Sequence, residues 1–206
     1  MMNKKGFARH EVLTIIALII IITAIVMNYI LESGKQQKFE TMKSSAQNFA
    51  SVVAGNLDGF DVYFNDHYLG EVIDNGLLSN IKSPFSGKSC DINESKVLVI
   101  NGKRFVTLRC DDYLIDNQED SALDKMIIYK VSKWSDKKQK GNNQELEVYN
   151  CVKDNKEVFE QYLESTNFLY NVNKKYSKSY TSIDSVKESC HVKSKKIYRT
   201  KIAIDE

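Results

Sequence analysis

At 206 residues the chain is long enough for one or two domains, and 42% hydrophobic and 27% charged residues with a formal net charge of +2 describe a globular protein. These values exclude a disordered tail, a collagen-like fibre and a strongly basic nucleic-acid-binding chain as descriptions of the whole. They also hide an uneven distribution: the twenty residues from Val12 to Leu31 carry no charge, whereas every later stretch is mixed. A membrane segment joined to a soluble domain is the organisation to expect.

As a helix rising about 1.5 Å per residue, that run spans roughly 30 Å, the thickness of a bilayer's hydrocarbon core. Thirteen of its residues are Leu, Ile or Val. At about −0.3 to −0.6 kcal/mol each they favour insertion by at most roughly 4–8 kcal/mol, which outweighs Asn28. Lys4, Lys5 and Arg9 precede the run and no comparable cluster follows it. The positive-inside rule therefore predicts a cytoplasmic N-terminus and an exterior location beyond residue 32. A cleaved secretory signal has a shorter apolar core, about 7–15 residues, and ends at small residues. Here the run ends in Asn28-Tyr29-Ile30-Leu31-Glu32, so a retained helix is expected.

Immediately before the run stands Lys4-Lys5-Gly6-Phe7-Ala8-Arg9-His10-Glu11. This segment resembles the processing site of type IV pilins and of the pseudopilins of type II secretion and competence systems. In that family a short basic leader ends in Gly, the mature chain begins with a methylated Phe, and a Glu stands fifth. Gly6, Phe7 and Glu11 match those three features at the same spacing. The resemblance implies cleavage by prepilin peptidase after Gly6 and N-methylation of Phe7. A carboxylate beside twenty apolar residues is expensive in lipid unless it finds a partner. The α-amine of a cleaved Phe7 on a neighbouring subunit is such a partner, and methylation keeps its charge. Arg9 and His10 stand where the family carries small or apolar residues, and its frequent mid-helix proline is absent. Ser33-Gly34 is the nearest helix weakener.

After Gly34, Phe39, Met42, Ala46, Phe49, Ala50, Val53 and Leu57 fall within a stripe about 100° wide at 3.6 residues per turn. A solvent-edged helix packed on its own domain is predicted over 35–58. Residues 68–81 read as a short helix and turn with Gly76 as C-cap, ahead of the single proline, Pro84. Val97–Ile100, Asn101-Gly102 and Lys103–Leu108 form a β-hairpin with a two-residue type I′ turn. A second hairpin is predicted from Met126–Trp134, the loop Ser135–Gln144 and Leu146–Val152. Asp154 with Glu157 can open a helix over Val158–Leu163, and Ile197–Ile204 alternates like a final strand.

Cys90, Cys110, Cys151 and Cys190 all follow the membrane run, and an even number on the outer side points to disulfides. Hairpin pairing of Ile100 with Lys103 brings Cys110 near Cys90, which favours Cys90–Cys110 and leaves Cys151–Cys190. No close Cys-x-x-Cys pair opens a zinc site, so no metal and no cofactor is expected.

Among enzyme classes, Thr107-Leu108-Arg109-Cys110 resembles the strand-end Thr-Leu-x-Thr-Cys of sortases, with His67 upstream as a base. It lacks the Thr before Cys110, and a structural disulfide cysteine is the preferred expectation. Six acids and no base lie among Asp111, Asp112, Asp116, Glu119, Asp120 and Asp124. Their spacing does not match an EF-hand loop, and a solvated acidic edge is expected. Residues 171–204 hold nine Lys or Arg against two acids, with Tyr176, Tyr180 and Tyr198 interleaved. Lys193, Lys195, Lys196 and Arg199 are candidate contacts to a neighbouring subunit or, as a second expectation, to DNA.

The expected fold is α+β: a long N-terminal helix packed on an antiparallel β-sheet head, as in pilins. Leader 1–6, stem 7–58 (transmembrane 12–31, amphipathic 35–58) and head 59–206 are the expected divisions. The function implied is that of a non-enzymatic structural subunit of a type IV pilus or a secretion or competence pseudopilus. Its partners would be other copies of itself and related pilins, prepilin peptidase, and the membrane assembly platform with its ATPase. Its place would be the cell membrane and then a surface filament. The alternatives are a signal-anchored extracellular protein of sortase-like type and a DNA-uptake pilin.

Overall fold

The computed structural model describes residues 9–57 (side chains from Leu13 onward), 65–117 and 126–204. Two compact units, Met1–Thr41 and Met42–Glu206, meet inside one helix, α1 (Arg9–Gly55). In the first unit the helix runs unbroken through Ser33-Gly34. The Thr23 hydroxyl donates to the carbonyls of Ile19 (2.7 Å) and Ile20 (2.9 Å). A polar group within the apolar run is thus satisfied by its own helix, as a hydrocarbon surrounding requires.

The second unit takes in the end of α1. Met42, Ala46, Phe49, Ala50 and Val53, all on the predicted stripe, are fully buried, whereas Leu57 is exposed. A lone helix cannot bury a phenylalanine, so these side chains are covered by the rest of Met42–Glu206. This compact unit begins at Met42, so the later part of the amphipathic segment belongs to it.

The unit contains β1 (Asp66–Tyr68), α2 (Leu69–Asp74), β2 (Lys96–Ile100), β3 (Lys103–Cys110), β4 (Tyr113–Asn117), β5 (Met126–Val131), β6 (Asn143–Lys153), β7 (Lys156–Glu157), β8 (Leu163–Glu164), α3 (Ser165–Tyr176), α4 (Ile183–Val186) and β9 (His191–Ala203). The strands form one curled antiparallel sheet in the order β1-β2-β3-β4-β5-β9-β6-β7, with β8 also on β6. The fold is α+β.

The β2–β3 hairpin has the expected register, Ile100 opposite Lys103, and Asn101 and Gly102 take the positive φ values (51° and 76°) of a type I′ turn. Gly76, just past α2, has φ +70°. Three expectations are corrected. First, Met126–Val131 and Asn143–Lys153 do not pair with each other, because β9 lies between them. Its ten register pairs with β6 and three with β5 outcompete a hairpin across a long polar loop. Second, no helix opens at Asp154. Asp154 and Asn155 both adopt positive φ (52° and 62°) and turn β6 into β7, so the helix starts at Ser165. Third, the acidic stretch, solvated as expected at Asp111 and Asp112, also contains a strand. Tyr113–Asn117 is an interior strand with Leu114 and Ile115 buried, entered by a turn at Asp111 with φ +54°.

Register places Val97, Val106, Leu108, Ile115 and Ile128 on one sheet face, all buried. The same face of β6 and β9 is covered by α3 and α4, where Cys151, Phe168, Val172 and Val186 form a second cluster. The opposite face carries Lys96, Thr107, Asp116, Tyr129, Lys201, Arg199 and Gln144, and the curl makes it an inner wall. Lys96 on β2 donates to Glu164 on β8 at 2.8 Å, and the Tyr68 hydroxyl donates to the same carboxylate at 2.9 Å. These bonds join strands far apart in the sheet order. The disulfide Cys90–Cys110 ties the segment before β2 to the end of β3, and Cys151–Cys190 ties β6 to the segment before β9. Each stabilises by about 3–4 kcal/mol on the loop-entropy model.

Burial pushes the Tyr68 phenol up, with Glu164 and Asp66 adding to the effect, and burial with Asp74 raises Tyr170 to about 12. Lys96 is lowered by burial but raised by more through Glu164 and Asp66, so its net shift is upward. A tyrosine kept neutral and a lysine kept charged both bind protons more tightly in the folded state, so their contribution is complete below about pH 10 and is lost as pH rises beyond it. Alkaline titration followed by circular dichroism should show the head losing stability progressively from pH 10 towards 12. Tyrosinate absorbance should appear only with unfolding for Tyr68. Full alkaline ionisation of every tyrosine in a still-folded head would refute this wall.

Candidate functional site

Two surfaces stand out. The first is the apolar half of α1. From Leu13 to Leu31 its large hydrophobic side chains are between 46% (Ile15) and 75% (Tyr29) exposed. A core helix of a soluble protein buries such residues; this one is long and apolar enough to cross a membrane and is uncovered. A helix is the only single segment that satisfies its backbone in lipid. Gly6 and Phe7 lie outside the described residues. Glu11 lies on the α1 backbone, with its side chain outside them.

The second surface is the inner wall of the sheet. The Arg199 guanidinium, only 4% exposed, bonds Glu94, reaches Gln144 Oε1 at 2.8 Å from Nε, and lies 4.2 Å from the centroid of Trp134. Burial pulls its pKa down while Glu94 counteracts. Glu94 also faces Arg109 Nε at 3.8 Å. Lys201 pairs with Asp116 at 2.6 Å and stacks 4.0 Å from the Tyr129 ring. Parity along β6 and β9 sets Gln144 and Arg199 on one face, but only once their register is known.

Arg199 is therefore largely internal to the head. Lys195 pairs with Asp136 at 3.0 Å and lies over Tyr162, and Lys196 pairs with Glu145 at 2.6 Å. Lys193 is exposed on β9. Of the acidic residues, Asp111 accepts from Ser83 and Ser86, and Asp116 is paired as above. Glu119, Asp120 and Asp124 lie outside the described residues. Cys110 has no thiol to act as a nucleophile, because its sulfur is bonded to Cys90. His67 is buried 3.6 Å from Glu71.

Removing one member of a buried charge pair costs about 3–5 kcal/mol. Because Glu94 keeps some exposure, Arg199→Ala should lower the unfolding free energy by about 3 kcal/mol. Lys193→Ala should change it by less than about 0.5 kcal/mol. Urea denaturation of both variants checks the contrast, and equal effects would show that Arg199 is not structural. No protein family, curated protein or solved structure matches the chain.

Proposed function

We propose that the chain is a type IV pilin-like subunit, inserted in the membrane through residues 12–31 and assembled by that helix into a surface filament or pseudopilus. One observation carries the proposal: α1 bears a membrane-length apolar segment with its side chains uncovered, and the same helix continues into the core of an α+β head. A plain anchor needs only the first feature. A subunit that packs helices together while displaying heads needs both. Gly6-Phe7 and Glu11 at the family's spacing support the same assignment. After cleavage, the Phe7 amine of one subunit neutralises Glu11 of the next and sets the axial stagger between helices. Prepilin peptidase, an assembly platform and its ATPase are the partners this entails. The head, cross-linked by two disulfides, presents the filament surface.

Mass spectrometry of protein from its native membrane should find an N-methylated Phe7 at the mature N-terminus. Glu11→Gln and Glu11→Ala should leave cleavage intact and abolish or strongly reduce shed filaments. An intact Met1 would make the protein a tethered ectodomain instead.

A further inference from the structure

The inner wall opens into a cleft of about 190 Å³ beneath Trp134. Two further clefts also border this residue, the single tryptophan of the chain. One of them shares Trp134, Gln161 and Tyr162 with the first. Both rings are half-buried and each has a cation against it: Arg199 at 4.2 Å from Trp134 and Lys195 at 4.5 Å from Tyr162. A ring held in this way is fixed in orientation while its remaining surface borders the clefts.

The charges decide what fits. Arg199 is bonded to Glu94, Lys96 to Glu164, and Asp116 to Lys201, while Asp91 accepts from the backbone N–H groups of Asn93 and Glu94. An anion or cation entering this first cleft would have to displace a formed pair and be desolvated in doing so. Lys88, Lys133, Glu157 and Glu160, which border the other two, are exposed and water-screened. The amide of Gln161, the amide N–H groups of Asn93 and Gln144 and the oxygens of the paired carboxylates remain as donors and acceptors, the side-chain oxygens of Asn93 and Gln144 being taken by Asn167 and Arg199. An extended peptide finds no more than a two-residue edge to pair with, since β3, β4 and β9 have strand neighbours on both sides and β8, paired with β6 alone, is only Leu163–Glu164. The three clefts, of about 190, 320 and 550 Å³, are open to solvent and share Trp134, so the occupant lies across them rather than being enclosed in one.

We infer that the head binds a neutral carbohydrate, with a sugar ring stacked on Trp134 and its hydroxyls bonded by Gln161 and the inner-wall polar groups. The weakly positive C–H face of a sugar suits the negative face of an indole, and its hydroxyls suit side-chain amides and carboxylates. Because Trp134 is the sole tryptophan, its emission reports occupancy without background. The full-length protein in detergent micelles is titrated with neutral oligosaccharides: hexamers of glucose in α and β linkage and of N-acetylglucosamine. At least one should give a saturable emission shift that persists at high salt. Gln161 is exposed, so Gln161→Ala folds, and it should weaken that affinity roughly threefold to tenfold. Calorimetry with Trp134→Ala should show no binding. The inference is overturned if no hexamer shifts the emission or if Gln161→Ala binds with unchanged affinity. It is equally overturned if only DNA or dextran sulfate gives a shift, lost at high salt.

Discussion

Twenty consecutive residues without a charge, arranged as a helix whose side chains are exposed from Leu13 onward, are the constraint on which the account of this protein depends. Apolar surface left in water is unfavourable by about 25 cal/mol per Å², so the segment must be covered by lipid, by other helices, or by each in turn. The Thr23 hydroxyl turned onto its own backbone fits a segment built for surroundings that offer no hydrogen bonds. The proposed filament is one way of meeting that constraint. A subunit leaves the bilayer without exposing its helix only if neighbouring helices replace the lipid. A carboxylate at the head of the helix then favours one register over the others, because only one stagger brings it to a neighbour's amine.

The head answers a different problem. A curled sheet encloses its inner face, and that face is charged. Lys96 lies between Glu164 and Asp66, Arg199 between Glu94 and Gln144, and Lys201 against Asp116. Buried pairs of this kind add little net stability relative to apolar packing, yet losing one partner is severe. Their contribution is geometric: the Lys96–Glu164 bond holds β2, and the Tyr68–Glu164 bond holds β1, to β8 where no backbone pairing does. The outer face supplies the hydrophobic stabilisation, through the buried rows on β2 to β5 and the α3 cluster on Cys151. Two disulfides then fix the segments that lead into β2 and β9, outside the reach of cytosolic reductants if the head is exterior.

What was legible in the sequence was local. The membrane run declares itself by length and charge, the amphipathic stripe by period, and the β2–β3 hairpin by Asn101-Gly102. From that hairpin the proximity of Cys90 and Cys110 follows. The chain-distant pairings were not legible. Ile197–Ile204 alternates like a strand, but nothing local says that the strand starts at His191 or that it lies between β5 and β6, a placement settled by long-range hydrogen bonding. Asp154 looked like a helix cap because aspartate caps helices; two successive residues at positive φ made it a hairpin turn. β4 was hidden by its charged flanks, although Leu114 and Ile115 are core. The inner-wall cluster depends on all of those pairings at once, so Trp134, Glu94 and Gln144 gave no separate signal, and Arg199 read as a surface cation.

The central claim is that the apolar helix exchanges lipid for copies of itself. A photo-crosslinking amino acid placed at Ile22, 58% exposed within the run, tests it in the native host. On irradiation of shed material, the account predicts a ladder of covalent multimers joined helix to helix, with lipid adducts or monomers alone in the membrane fraction. Monomers alone in every fraction, with no multimer from shed material, would contradict it.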